Sequence, residues 1–146
     1  MATVSNVALY LLHLDEDKGG EGLSNLKLQK LAYYCQGFHL AIFDDVLFRE
    51  PIQAWTHGPV VPELYQAYKE HGSQRIVATE ECSAAAEQLT DQERELIEEV
   101  YDVFGQYSAW ALRNMTHEER PWLRHEATGG DIPVTELAEY FKTRIQ

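Results

Sequence analysis

Cysteine is scarce in this chain: two residues, Cys35 and Cys82, in 146. Two thiols cannot form the disulfide framework that staples small secreted domains, so the fold is expected to rest on an apolar core in a reducing compartment. Basic residues are few as well. Twelve Lys+Arg face 24 Asp+Glu, a formal net charge of −12. Nucleic acids and anionic lipids are held largely through Lys/Arg contacts to phosphate. An acidic chain without a basic cluster is therefore expected to bind neither nucleic acid nor a membrane surface. No apolar run approaches the roughly 18 residues that span a bilayer. No basic segment followed by an apolar stretch and a small-residue cleavage site opens the sequence. A cytoplasmic location is expected.

The sequence also lacks the motifs of common catalysis. There is no GxxxxGKS/T or GxGxxG phosphate loop, no Gly-x-Ser-x-Gly elbow and no CxxC pair. His117-Glu118-Glu119 begins like a zincin HExxH, but Pro121 stands where the second histidine belongs. Cys35 and His39 share one helix face at a spacing that suits a metal, yet a zinc site needs three or four ligands. Packing in a helix core is the reading that fits them, since free cysteine is among the most buried residue types. No catalytic residue, cofactor or metal site is assigned.

What remains is the composition of a folded domain, with 45% hydrophobic and 25% charged residues. No repeat or Pro/Ser-rich linker divides it, and residues 1–146 are expected to form one domain. Apolar spacing predicts a first helix from Val4 to Leu14 and a loop over Asp15–Gly22. Ser24 is a good N-cap for a long second helix ending near Phe43, with Leu28, Leu31, Ala32, Cys35, Phe38, His39 and Ile42 along one face. Short strand-like pieces follow at Val46–Phe48 and Ile52–Trp55, with Pro51 marking an edge. Gly58-Pro59 reads as a rigid turn, and Pro62 as the first residue of a third helix that stops at Gly72. Ser73–Gln88 carries little signal. Thr90 and Glu93 form a capping box ahead of a helix ending at Gly105. Ser108 caps another, Thr116 and Glu119 repeat the box pattern before Pro121-Trp122, and a last helix covers Thr135–Ile145. The sum is a mainly α, compact single-domain helical fold with a small β-hairpin-like element between the second and third helices.

Two features invite a partner. Between Glu80 and Asp102 lie nine acids and one base, Arg94. This is either a solvated helix face or one that meets a basic partner, with Glu95, Glu98 and Glu99 as its central carboxylates. The aromatics Trp55, Trp110, Trp122, Tyr33, Tyr34, Tyr65 and Tyr68 are either core or interface anchors.

The block Leu28-Gln29-Lys30-Leu31-Ala32-Tyr33-Tyr34-Cys35-Gln36-Gly37-Phe38-His39-Leu40 is followed by Pro51-Ile52-Gln53-Ala54-Trp55-Thr56-His57-Gly58-Pro59-Val60-Val61-Pro62-Glu63-Leu64-Tyr65. A third block has Ser108-Ala109-Trp110-Ala111-Leu112, Thr116-His117 and Pro121-Trp122. Together these resemble the Panacea domain, the SocA-like antitoxin family that includes phage-associated GepA-like proteins. The resemblance implies a non-enzymatic antitoxin that neutralises a cognate protein toxin, encoded by the adjacent gene, through direct protein–protein binding. Alternatives of similar kind are an adaptor that delivers a toxin to a ClpXP-type protease, or a phage-encoded protein that binds a host factor. From a different class, a small metal-dependent hydrolase would have to use Cys35, His39 or His117. Lys30, Tyr34, Trp55, His57, Glu95, Glu98, Glu99 and Trp122 are the expected partner-binding residues.

Overall fold

Thr3 starts the first helix. Its hydroxyl accepts the Asn6 N–H at 3.1 Å while the Asn6 side-chain oxygen accepts the Thr3 N–H at 3.2 Å, and α1 runs Val4–Asp17. The computed structural model describes residues 2–145. Helix α1 continues past the expected Leu14 because Asp15 is an interior residue. Its carboxylate accepts the Gly22 N–H at 2.9 Å and the Tyr101 hydroxyl at 2.7 Å.

Ser24 caps α2, Asn25–Phe43, by accepting the Lys27 N–H at 3.2 Å. Every residue from Leu28 to Gly37 is buried, and a helix buried on all sides is the centre of its domain. Its last turn emerges from the core, leaving Ile42 48% exposed, so the expected inner face ends before that residue.

The hairpin differs from its expected placement. Strand β1, Gln53–Trp55, pairs antiparallel with β2, Gly58–Val60, in the register Gln53↔Val60, Ala54↔Pro59, Trp55↔Gly58. Thr56-His57 make the turn, and Gly58-Pro59 lies in the second strand. Pro59 has no N–H to donate, which suits this two-stranded edge. Val46–Phe48 forms no strand. Gln36 replaces a partner strand there: its oxygen accepts the Leu47 N–H and its nitrogen donates to the Phe48 carbonyl, both at 2.7 Å.

Helix α3, Pro62–Tyr68, opens on its proline and runs through a 3-10 turn, Lys69–His71, to Gly72 at φ 58°. In the weak segment the structure adds a short helix missed by periodicity, α4, Glu80–Ala84, followed by a 3-10 turn, Ala85–Gln88. Both pack on α1, and Cys82 and Ala85 are their buried residues. Ile76 makes a single bridge to Leu23 instead of a strand.

The Thr90–Glu93 box is present at the start of α5, Asp91–Phe104. Ser108 caps α6, Ala109–Thr116. The second expected box is absent: the Thr116 hydroxyl donates back to the Arg113 carbonyl at 2.8 Å. Glu119 precedes α7, Arg120–Leu123, without a side-chain cap bond, because its carboxylate is committed to the interior. Helix α8, Val134–Lys142, packs on α2 more extensively than any other element does. Mainly helical, with one small hairpin between α2 and α3, the architecture is the expected one. Among the described residues no helix is long and apolar enough to cross a membrane.

Candidate partner-binding site

An open groove of about 620 Å³ lies where the hairpin, α2 and α3 meet, with residues 126–129 as its far wall. Trp55 and His57 line it from the hairpin and Tyr65 from α3. Trp55 meets Tyr65 edge-on at 5.0 Å and donates its indole N–H to Gln53 at 2.9 Å. A polar chain fixes the floor. Gln29 accepts the Val61 N–H and donates to Asn25, both at 2.9 Å, and Asn25 donates to the Tyr65 carbonyl at 3.3 Å. One α2 side chain thus ties the helix to the junction between β2 and α3.

Trp122, expected at a partner surface, is 6% exposed and acts as a strut. Its indole N–H donates to the Trp55 carbonyl at 2.7 Å, and the His117 ring stacks on it at 3.9 Å.

Lys30 and Tyr34 also leave the expected surface. Both side chains have 0% exposure. The Lys30 ammonium donates to the Pro59 carbonyl at 3.0 Å, tying α2 to β2. Gly58, at φ 109°, makes room for it: a Cβ there would stand 2.6 Å from Lys30 Cε and 2.8 Å from the Thr116 hydroxyl oxygen. Burial pushes the Lys30 amine down to about 7, and the like charge of Arg113 acts in the same direction.

This has a measurable consequence. From about pH 7 up to the ordinary lysine value of 10.5, the unfolded chain holds a proton that the folded chain has released. Stability should therefore rise with pH across that window. Tyr33 and Tyr34 act oppositely above the ordinary tyrosine value of 10.0, because burial raises both of them and the folded chain keeps their protons. Urea midpoints measured from pH 6 to 11 should climb and then turn over, and Lys30→Met should flatten the climb. An unchanged climb in that variant would assign it to another group.

Tyr34 instead belongs to the core around Glu119. The Tyr33 and Tyr34 hydroxyls each donate to a Glu119 oxygen at 2.8 Å, and Arg144 approaches the same carboxylate at 3.2 Å. Burial raises the Glu119 carboxyl above its ordinary value, against the pull of the two tyrosine hydrogen bonds and Arg144.

On the acidic face Glu95 and Glu99 are exposed, whereas Glu98 is half-buried and accepts the Tyr10 hydroxyl at 2.7 Å. Helix α5 packs on α1 and α2, while the hairpin meets α2, α6 and α7, so the acidic face and the groove occupy different elements. Among the described residues no three His, Cys, Asp or Glu side chains are grouped to hold a metal ion. The His39 ring is engaged with the Asp45 carbonyl at 2.7 Å, and burial raises the Cys35 thiol.

Sequence reasoning missed Arg113. Its guanidinium donates to His57 Nδ1 at 3.3 Å and lies over the Trp110 ring at 4.4 Å. Trp110 is 54% exposed, so this aromatic is no part of the core. No local signal joins Arg113 to a histidine 56 positions away.

No curated protein and no solved structure matches the chain. The family model described as "Antitoxin SocA-like, Panacea domain" matches residues 28–123. That span begins inside α2, carries the hairpin, the groove's aromatic wall, Arg113 and Glu119, and ends with α7. With about two thirds of its residues matched, the chain belongs to the SocA-like antitoxin, Panacea domain family.

Proposed function

We propose that this protein neutralises a cognate protein toxin by direct, stoichiometric protein–protein binding, with no turnover of a substrate. The family match carries the reading. The hairpin groove supports it as the contact surface: it is concave and partly apolar, and it presents Trp55 and Tyr65 on a floor held by hydrogen bonds. Tryptophan and tyrosine are the residues on which binding energy concentrates. The exposed Glu95 and Glu99 lie elsewhere and contribute long-range attraction to a basic partner, an effect screened beyond about 8 Å at 0.15 M salt.

The test is a titration of rescue. The adjacent gene product is expressed with increasing amounts of this protein, and growth and co-purification are followed. Rescue should rise with the molar ratio and a complex should co-purify. Rescue at strongly substoichiometric amounts, in cells lacking ClpXP-type proteases, would indicate turnover and overturn the reading. His57→Ala, at an exposed turn, should leave the fold intact and weaken rescue; unchanged rescue would move the contact away from the groove.

A further inference from the structure

Four basic side chains converge beside the groove. Arg113 and His117 stand four apart at the end of α6, spaced to share one face. His57 reaches Arg113 from the hairpin turn at 3.3 Å, and Lys30 lies beneath, sealed under Gly58. Among the described residues none of the four forms an ion pair with a carboxylate. The charged group that acts on Lys30 is Arg113, and those acting on His117 are Arg113, Lys30 and His57, all of like sign. His117 Nε2 is also the buried side-chain nitrogen that finds no hydrogen-bond partner among the described residues.

This arrangement is costly in isolation. Burial and the neighbouring guanidinium drive the Lys30 amine and the His117 ring toward their neutral forms. That leaves an imidazole nitrogen without a partner and Arg113 as a cation with no carboxylate beside it among the described residues. The arrangement stands in a chain whose net charge is −12, where carboxylates are plentiful but, among the described residues, none pairs here. An anion beside Arg113 would supply the countercharge.

We infer that the Arg113–His57 edge of the groove, backed by Lys30 and His117, receives a carboxylate side chain of the partner protein. This rests on the proposed binding function and names the chemistry that the groove reads. A guanidinium offers a carboxylate charge-assisted hydrogen bonds. That of Arg113 sits over the Trp110 ring at 4.4 Å, donates through Nε to His57 and through Nη1 to Asn114 at 3.0 Å, and has Nη2 without a partner among the described residues. His57 lines the groove as well as touching Arg113. One partner segment can therefore bury an apolar side chain against Trp55 and Tyr65 and place its carboxylate on Arg113. A phosphodiester chain fits poorly, because the acidic surface around a single positive spot repels the neighbouring phosphates.

The test uses charge exchange. Arg113→Glu, with its fold checked by circular dichroism, is expressed with the adjacent gene product. Its affinity for that product should fall about 100-fold, and Arg113→Lys should retain part of it. Changing one toxin Asp or Glu to Arg should restore binding to Arg113→Glu and weaken binding to the native protein. Binding of Arg113→Glu within about threefold of native, or loss that no acidic-to-basic change repairs, overturns the inference and leaves the antitoxin reading in place. Should the native protein itself fail to rescue, the antitoxin reading fails, and the site is read directly. Acetyl-Leu-Glu-Leu-amide is then titrated against the native protein while the Trp110 indole resonance is followed. It should bind about tenfold more tightly than its Gln counterpart, and Arg113→Gln should remove the difference. Equal binding of the two peptides, or tighter binding of inorganic phosphate, overturns the carboxylate assignment.

Discussion

Glu119→Ala is expected to lower the unfolding free energy by about 3–5 kcal/mol, read as a fall in the urea midpoint at an unchanged slope. Three groups depend on that carboxylate: the Tyr33 and Tyr34 hydroxyls and the Arg144 guanidinium. Both tyrosines are fully buried, so water cannot take the place of the lost acceptor. Each orphaned hydroxyl costs about 1–3 kcal/mol, and the cavity adds to it. Glu119→Gln is the informative companion. The amide keeps one oxygen to accept a tyrosine and turns its NH₂ toward the other, so its cost should be smaller but substantial. Equal stability of the alanine variant and the native protein would show that the tyrosines find other partners and that α7 is not held through Glu119.

The second large effect concerns the seam between α2 and α8. Gly37 lies in the middle of α2, where a glycine costs about 1 kcal/mol of helix stability relative to alanine. The reason for it is Phe141. A Cβ at Gly37 would stand 2.2 Å from the Phe141 ring. That ring is buried and meets Tyr33 edge-on at 5.4 Å and Phe38 at 4.9 Å, so it has little room to retreat. Phe141→Ala should cost about 3–5 kcal/mol. Gly37→Ala should cost about 1–3 kcal/mol despite its gain in helix propensity. The two changes should be strongly non-additive, because the new methyl occupies space that the missing ring vacates. In the Phe141→Ala background Gly37→Ala should become neutral or stabilising. The same cost in both backgrounds would mean that the glycine serves some purpose other than the docking of α8.

Most helix boundaries were legible from short-range chemistry. Ser24, Ser108 and the Thr90–Glu93 box announce their helices because a cap acts on an N–H two or three residues away. Pro62 and Gly72 bracket α3 for the same local reason. Thr116 and Glu119 show where such reasoning fails. They have the spacing of a box, but Glu119 is drawn into the core by tyrosines 85 and 86 positions away, and that association outweighs a local cap. Helix α4 was illegible because its small and acidic residues carry no period; Cys82 and Ala85 gain their meaning only from the surface of α1. The strand expected at Val46–Phe48 has β-forming residues but no partner strand, and Gln36 satisfies its backbone from α2.

By itself the sequence determined the class of the fold, the run of its principal helices, the place of the hairpin and the resemblance to an antitoxin family. These depend on period, caps and residue identity, all of which act within a few residues along the chain. The tertiary structure alone decided which polar side chains face inward. Lys30, Tyr34 and Trp122 have the character of surface anchors in a linear reading, yet each is buried against a group distant in sequence. It also decided that Arg113 meets His57 and that, among the described residues, neither forms an ion pair with a carboxylate. Burial of a polar group is affordable only where its partner arrives, and the partner's arrival is a property of the packed molecule, not of the chain.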